Sequence, residues 1–197
     1  MERQSTEIRQ EQIKKAVLEI LDTEGMNRLS TRHLAEKVGI SEGAIFRHFK
    51  SKRDILVAVV EDVKNHMLEP LRAIALKSEP ADERLRTFLK FHMQYLARNK
   101  GITLLLFSEA AHMNDPELKR LLHGILSELK QFVSKIFQDG IVEGKWDPRI
   151  HTENVAMLYM GVPITLNIEA ILSGEPLKHE DFCDRMYCLL NRVLEKR

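Results

Sequence analysis

Residues 29–49 read LSTRHLAEKVGISEGAIFRHF, and the punctuation of this stretch predicts two short helices joined by a tight turn. Ser30 and Thr31 offer N-cap hydroxyls just before an apolar-periodic run. Leu34, Ala35 and Val38 then fall at helical spacing. Gly39 stops that helix and Ser41 is placed to cap the next. Ile45 and Phe49 stand four apart, so they share one face and are expected to pack on Leu34 and Val38.

The opposite face of the second helix follows from a step of about 100° per residue. With Ile45 at zero, the buried direction lies near 20°, Gly43 near 160°, Arg47 near 200°, Ala44 near 260° and Phe46 near 100°. That outward face carries little that blocks close approach, and Arg47 is a reader of guanine edges. Gly43 inside a helix costs about 1 kcal/mol against alanine, as if something passed close to it. Spacing alone leaves an ordinary helical hairpin with a solvated arginine equally open.

The residues quoted next carry a resemblance. Thr31-Arg32-x-Leu34-Ala35, then Val38-Gly39-Ile40-Ser41-x-Gly43-Ala44-Ile45-Phe46-x-His48-Phe49-x-x-Lys52-x-x-Ile55-Leu56, resembles the N-terminal domain of the TetR family of transcriptional regulators. The resemblance covers about residues 8–60; beyond it the chain is similar only in layout, an all-helical, divergent ligand-binding domain. It implies a DNA-binding set of Thr31, Arg32, Ser41, Glu42, Gly43, Ala44, Phe46, Arg47, His48 and Lys52. Phe46 departs from the family's usual tyrosine, whose phenol bonds a DNA phosphate, so its contact is expected to be packing alone.

The whole chain fits this expectation. Its 197 residues allow one large or two small domains, and 44% hydrophobic with 30% charged residues is globular. Residues 1–53 hold 11 Lys+Arg against 8 Asp+Glu, and the rest hold 19 against 21, so the basic end is the end with the hairpin. The first residues, MERQSTEIRQEQ, are polar and charged rather than signal-like. The longest strictly apolar run, Val155–Ile164, is too short to span a bilayer, so no membrane is expected. Cys183 and Cys188 lie about 140° apart on a helix, which disfavours a disulfide and favours a reduced, cytoplasmic chain.

Helical patterning continues throughout, for about nine helices with no strand alternation and no fixed repeat. The first helix is expected over residues 8–24, ended by Gly25, with Arg3 and Arg9 at its start. Ser51 and Asp54 resemble a capping box, putting Lys52 beside free N–H groups as a phosphate site. That helix should run to about Leu71 and give a mechanical link between the two parts. Further helices are expected over Ala81–Arg98, Ile102–Met113, from Asp115-Pro116 to about Gly144, over Glu153–Leu172 with a kink at Pro163, and over about Glu180–Glu195. The two parts are a helix-turn-helix domain, 1–50, and a regulatory and dimerisation domain, 51–197.

Other chemistry finds little support. Gly39-Ile40-Ser41-Glu42-Gly43 matches G-x-S-x-G, but a nucleophile elbow needs a strand before the serine and here a helix precedes it. His179 and Cys183 share a helix face without the further ligands a zinc site needs. Neither a catalytic residue, a metal nor a cofactor is expected. Phe88, Phe91, His92, Tyr95, Phe107, His112, Met113, Tyr159, Met160 and Asn167 mix aromatic, flexible and polar groups on helices that the resemblance places around the family's ligand pocket. That mixture suits a small, mostly apolar effector held by a few polar anchors, with plain core packing as the alternative. Phe182, Met186, Leu189, Leu190 and Val193 form a wide apolar face on the final helix, a candidate dimer surface. The resemblance agrees: family members dimerise through their last two long helices. The expected function is therefore a ligand-responsive regulator of transcription, a repressor, acting as a homodimer on a near-palindromic duplex. A DNA-binding protein of the same fold without an effector, such as an architectural or division factor, is the alternative.

Overall fold

The computed structural model describes residues 5–99, 102, 103, 105, 115–175 and 179–195, and all regular structure among them is helical. The chain forms two compact units, Met1–Val63 with Asn99–Leu122, and Lys64–Arg98 with His123–Arg197. Phe107, His112, Met113 and Arg3, with most of the helix expected over Ile102–Met113, lie outside the described residues.

In the first unit α1 spans Thr6–Thr23, α2 Thr31–Val38, α3 Glu42–His48 and α4 Lys52–Val63. Ser5 caps α1, and a short 3-10 turn at Met26–Arg28, which the sequence reading passed over, joins it to α2. Ile13, Val17, Ile20 and Leu21 of α1 are buried with Leu34 of α2, Ile45 of α3, and Ile55 and Leu56 of α4. One apolar stripe of α1 thus serves three helices.

The second unit contains α5 (Glu69–Ala75), α6 (Ala81–Arg98), most of α7 (Pro116–Val142), α8 (Thr152–Ser173) and α9 (His179–Leu194). The single helix expected from Lys52 to about Leu71 needs correction. Helical structure continues to Ala75, but a π-helical segment, Lys64–Leu68, separates α4 from α5. Pro70 explains it: its missing N–H cannot bond back to His66, and a wider turn just upstream accommodates the ring.

Trp146 anchors the second unit. It is 1% exposed, meets Phe137 edge-on at 5.7 Å, and donates Nε1–H to Asn191 Oδ1 at 2.9 Å. The next residue, Asp147, donates its backbone N–H to the Leu194 carbonyl. The loop after α7 is therefore tied to the end of α9. Arg84 of α6, also buried, donates to the Ala75 carbonyl at 2.7 Å and to Asp139 at 2.9 Å, and pairs with Glu143. Helix α8 has the length and mean hydropathy (1.6) of a membrane span, but it packs against α6, where the buried Tyr159 meets Phe88 and His92.

Candidate DNA interface and regulatory core

The hairpin forms as its capping residues dictate. Ser30 Oγ accepts from His33 N at 3.1 Å, and Ser41 Oγ accepts from Ala44 N at 3.2 Å. Gly39 takes a left-handed conformation (φ 72°), and the Ile40 N–H returns to the Ala35 carbonyl, closing α2. Ile45 and Phe49 are buried with Leu34, whereas Val38 is half-buried. Gln10 of α1 donates to the His48 carbonyl at 3.0 Å, pinning the end of α3. The short α3 is thus held at both ends and from below.

Outward, Arg32, Ser41, Glu42, Gly43, Phe46 and Arg47 are exposed, while Thr31, Ala44, His48 and Lys52 are half-buried. Phe46 shows 49% of its surface, a large ring with no burial requirement met inside the chain. Gly43 has no positive φ, and a Cβ built on it meets no atom within 4 Å. Neither backbone conformation nor internal packing calls for glycine there. The Thr31 hydroxyl donates to Glu42, joining the first turns of α2 and α3. Arg32 pairs with Glu36 at 3.3 Å, and His33 lies between Glu24 (2.7 Å) and Glu36 (3.5 Å). The His33 hydrogen bond is the main cause holding the Glu24 carboxyl below its ordinary pKa.

One ionic cluster escaped the sequence reading. Arg53, in the first turn of α4, donates to Asp115 and, at 2.5 Å, to Glu117, in the first turn of α7. Asp115 is also the N-cap expected there, accepting from Glu117 N and Leu118 N. Arg53 and those N–H groups hold the Asp115 carboxyl down at about 2. Sequence showed the cap, which is local; the ion pair spans 62 residues and no spacing rule finds it.

The second unit brings part of the proposed ligand set together. His92 and Phe88 of α6 meet Tyr159 of α8, with His92 Nδ1 3.2 Å from the phenol and the rings of Phe88 and Tyr159 edge-on at 5.8 Å. Burial drives the imidazole down to about 4 and the phenol well above its usual value, so both are neutral at pH 7. Phe91 and Tyr95 are half-buried, and Met160 and Asn167 are buried. A separate surface cleft of about 290 Å³, lined by Ala75–Glu79, Arg84, Lys135, Asp139, Val142 and Glu143, is ionic rather than apolar. On α9, Leu189 and Val193 are exposed, Phe182 and Met186 half-buried, and Leu190 buried inside the protomer. Among the described residues no cluster of three or more metal-ligating side chains occurs.

Residues 13–59 match the family described as bacterial regulatory proteins, tetR family, and residues 78–165 match the tetracyclin repressor-like C-terminal domain. The chain belongs to the TetR family and is a DNA-binding transcriptional regulator, not an enzyme. Repression and homodimers are typical of this family. Among curated proteins it is 29% identical over 147 residues to the nucleoid occlusion factor SlmA of Actinobacillus pleuropneumoniae, covering 74% of this chain and 73% of that one. Among solved structures it resembles the fatty acid degradation regulator FadR of Bacillus halodurans, with a TM-score of 0.81, 15% identity and full coverage of both chains. FadR of Bacillus subtilis, solved in complex with stearoyl-CoA, gives a TM-score of 0.77 at 18% identity, covering 94% of this chain and 99% of that one. Those two likenesses are of fold.

Proposed function

We propose that this chain is a ligand-responsive repressor that binds a near-palindromic operator as a homodimer, and that a small, mostly apolar effector releases it. Residues 1–50 read DNA, and residues 51–197 bind the effector and dimerise. The observation that carries the DNA assignment is Gly43: a helix-interior glycine with open space above it, flanked by exposed Phe46 and Arg47. Glycine there costs about 1 kcal/mol with no internal return, which is the signature of a surface approached from outside. With α3 in a major groove, Arg47 reaches a guanine edge and the small Gly43 and Ala44 let the helix seat deeply.

The dimer assignment is supported by exposed apolar residues on two helices. Leu158, Gly161, Thr165, Ile168 and Leu172 of α8 are exposed at alternating spacings of three and four, and Leu189 and Val193 of α9 are four apart. Such seams pack helix against helix, and a partner's matching pair completes a four-helix bundle. The effector assignment is supported by the buried polar and aromatic residues shared by α6 and α8, and by the acyl ligand in the Bacillus subtilis FadR structure. Arg53 links the first turn of α7 to the helix that follows α3, so a shift of that turn would be felt at the hairpin.

The relation to SlmA favours a second reading, in which the same fold binds DNA without an effector. Titration separates the two. Coupling of about 1–3 kcal/mol would change operator affinity roughly 5–150-fold when effector binds, and operator must change effector affinity by the same factor. Small molecules recovered by native mass spectrometry from the purified protein supply the candidates. Equal ligand affinity with and without saturating operator would exclude a candidate as effector.

A further inference from the structure

Asn167 lies on α8 fully buried, and among the described residues neither its Nδ2 nor its Oδ1 has a hydrogen-bond partner. Buried amides are almost always paired, because an orphaned donor or acceptor forfeits its water without recompense. A position needing only to pack would take leucine. Asn167 continues the buried stripe of Tyr159 and Pro163 at four-residue spacing, on the helix whose Tyr159 meets His92 of α6. Pro163 sharpens the polarity of this stripe, since it withholds the N–H that would bond the Tyr159 carbonyl.

Charge narrows what can pair with Asn167. In the second unit the buried charges among the described residues are paired: Arg84 with Asp139 and Glu143, leaving only its Nε without a partner, and Asp147 with Arg149. His92 is neutral. A charged head group would find no free counter-ion among these residues. An uncharged one finds an amide edge that accepts at Oδ1 and donates at Nδ2 side by side. Eight residues, or about 12 Å of helix, separate it from Tyr159, with Pro163 between them on the same face.

We infer that Asn167 anchors the effector through an uncharged head group that donates and accepts at once, a carboxamide, lactam or protonated carboxyl. The inference rests on the ligand-responsive reading proposed above. It makes Asn167 a residue kept at a cost to the empty protein, with its hydrogen bonds completed only by ligand.

The test is thermal unfolding of the full chain, stripped of small molecules, as wild type and as Asn167→Leu, each alone and with decanamide, decanoate or decane at pH 7. Without ligand, Asn167→Leu should melt about 2–4 °C above wild type. Decanamide should raise the melting temperature of wild type and leave that of Asn167→Leu unmoved, while decanoate and decane do less to wild type. If Asn167→Leu fails to fold, Asn167→Ala carries the ligand comparison. A lower melting temperature for Asn167→Leu would mean that a trapped water satisfies the amide, and would overturn the inference. So would an equal decanamide shift in both proteins, or none in either. Stabilisation by decanoate or decane with decanamide silent would overturn the head-group assignment and leave the ligand-responsive reading standing. That reading fails separately, if no small molecule travels with the natively purified protein and none alters operator binding.

Discussion

Gly140 shows a residue fixed by its neighbour. A Cβ built on it would lie 2.1 Å from the Trp146 ring, so only glycine lets the indole lie across α7. Gly140→Ala should destabilise the protein by about 1–3 kcal/mol or more through overpacking, read as a fall in denaturant midpoint. Sequence did not reveal this pair, because Trp146 sits in a loop outside any helical stripe. His92 sets a pH dependence. Its folded pKa of about 4 lies below the ordinary 6.5 of a solvated imidazole, so the unfolded chain takes up the proton first. Stability from this group is complete above pH 6.5 and is lost as pH falls toward 4. Burial this deep corresponds to roughly 2–4 kcal/mol across that window. His92→Gln should flatten this part of the stability–pH curve; an unchanged slope would mean that His92 is not the group titrating. By contrast, Ser30, Gly39 and Ser41 were legible, since a cap or a left-handed stop is decided within four residues.

At the scale of elements, helices were readable because their apolar stripes are periodic, and their packing was less so. The run from Lys52 looked continuous since its stripe crosses Pro70 unbroken; only the backbone bonding reveals the π segment. On α9 the sequence offers one wide apolar face as a candidate partner surface, with Cys183 beside it. The structure divides that face: Leu190 and Cys183 face the protomer's own core, while Leu189 and Val193 face out. A one-residue step turns a side chain by about 100°, finer than a wide apolar face can specify. The double variant Leu189→Glu, Val193→Glu should therefore give a folded monomer, with wild-type circular dichroism and half the sedimenting mass. A variant that stays dimeric would place the interface elsewhere. Leu190→Glu is a poor probe, since it would bury a charge in the protomer.

For the whole molecule, the sequence carried the family and the hairpin, and left the regulatory half open. The DNA-reading half is specified by tight local rules that a groove imposes on any helix entering it. The proposed effector half would be specified only by a cavity's chemistry, and the groups assigned to it are split between α6, with His92, and α8, with Tyr159 and Asn167. The central claim remains that α3 reads DNA through the face of Gly43, Phe46 and Arg47. Its most direct test is fluorescence anisotropy of wild type and Arg47→Ala on a duplex selected from random sequence, beside a scrambled duplex at the same salt. Arg47→Ala should lose about 1–3 kcal/mol on the selected duplex, relax preference at one base pair of each half-site, and bind the scrambled duplex with a much smaller loss. Equal binding of the selected duplex by wild type and Arg47→Ala would contradict the assignment of α3 to the groove.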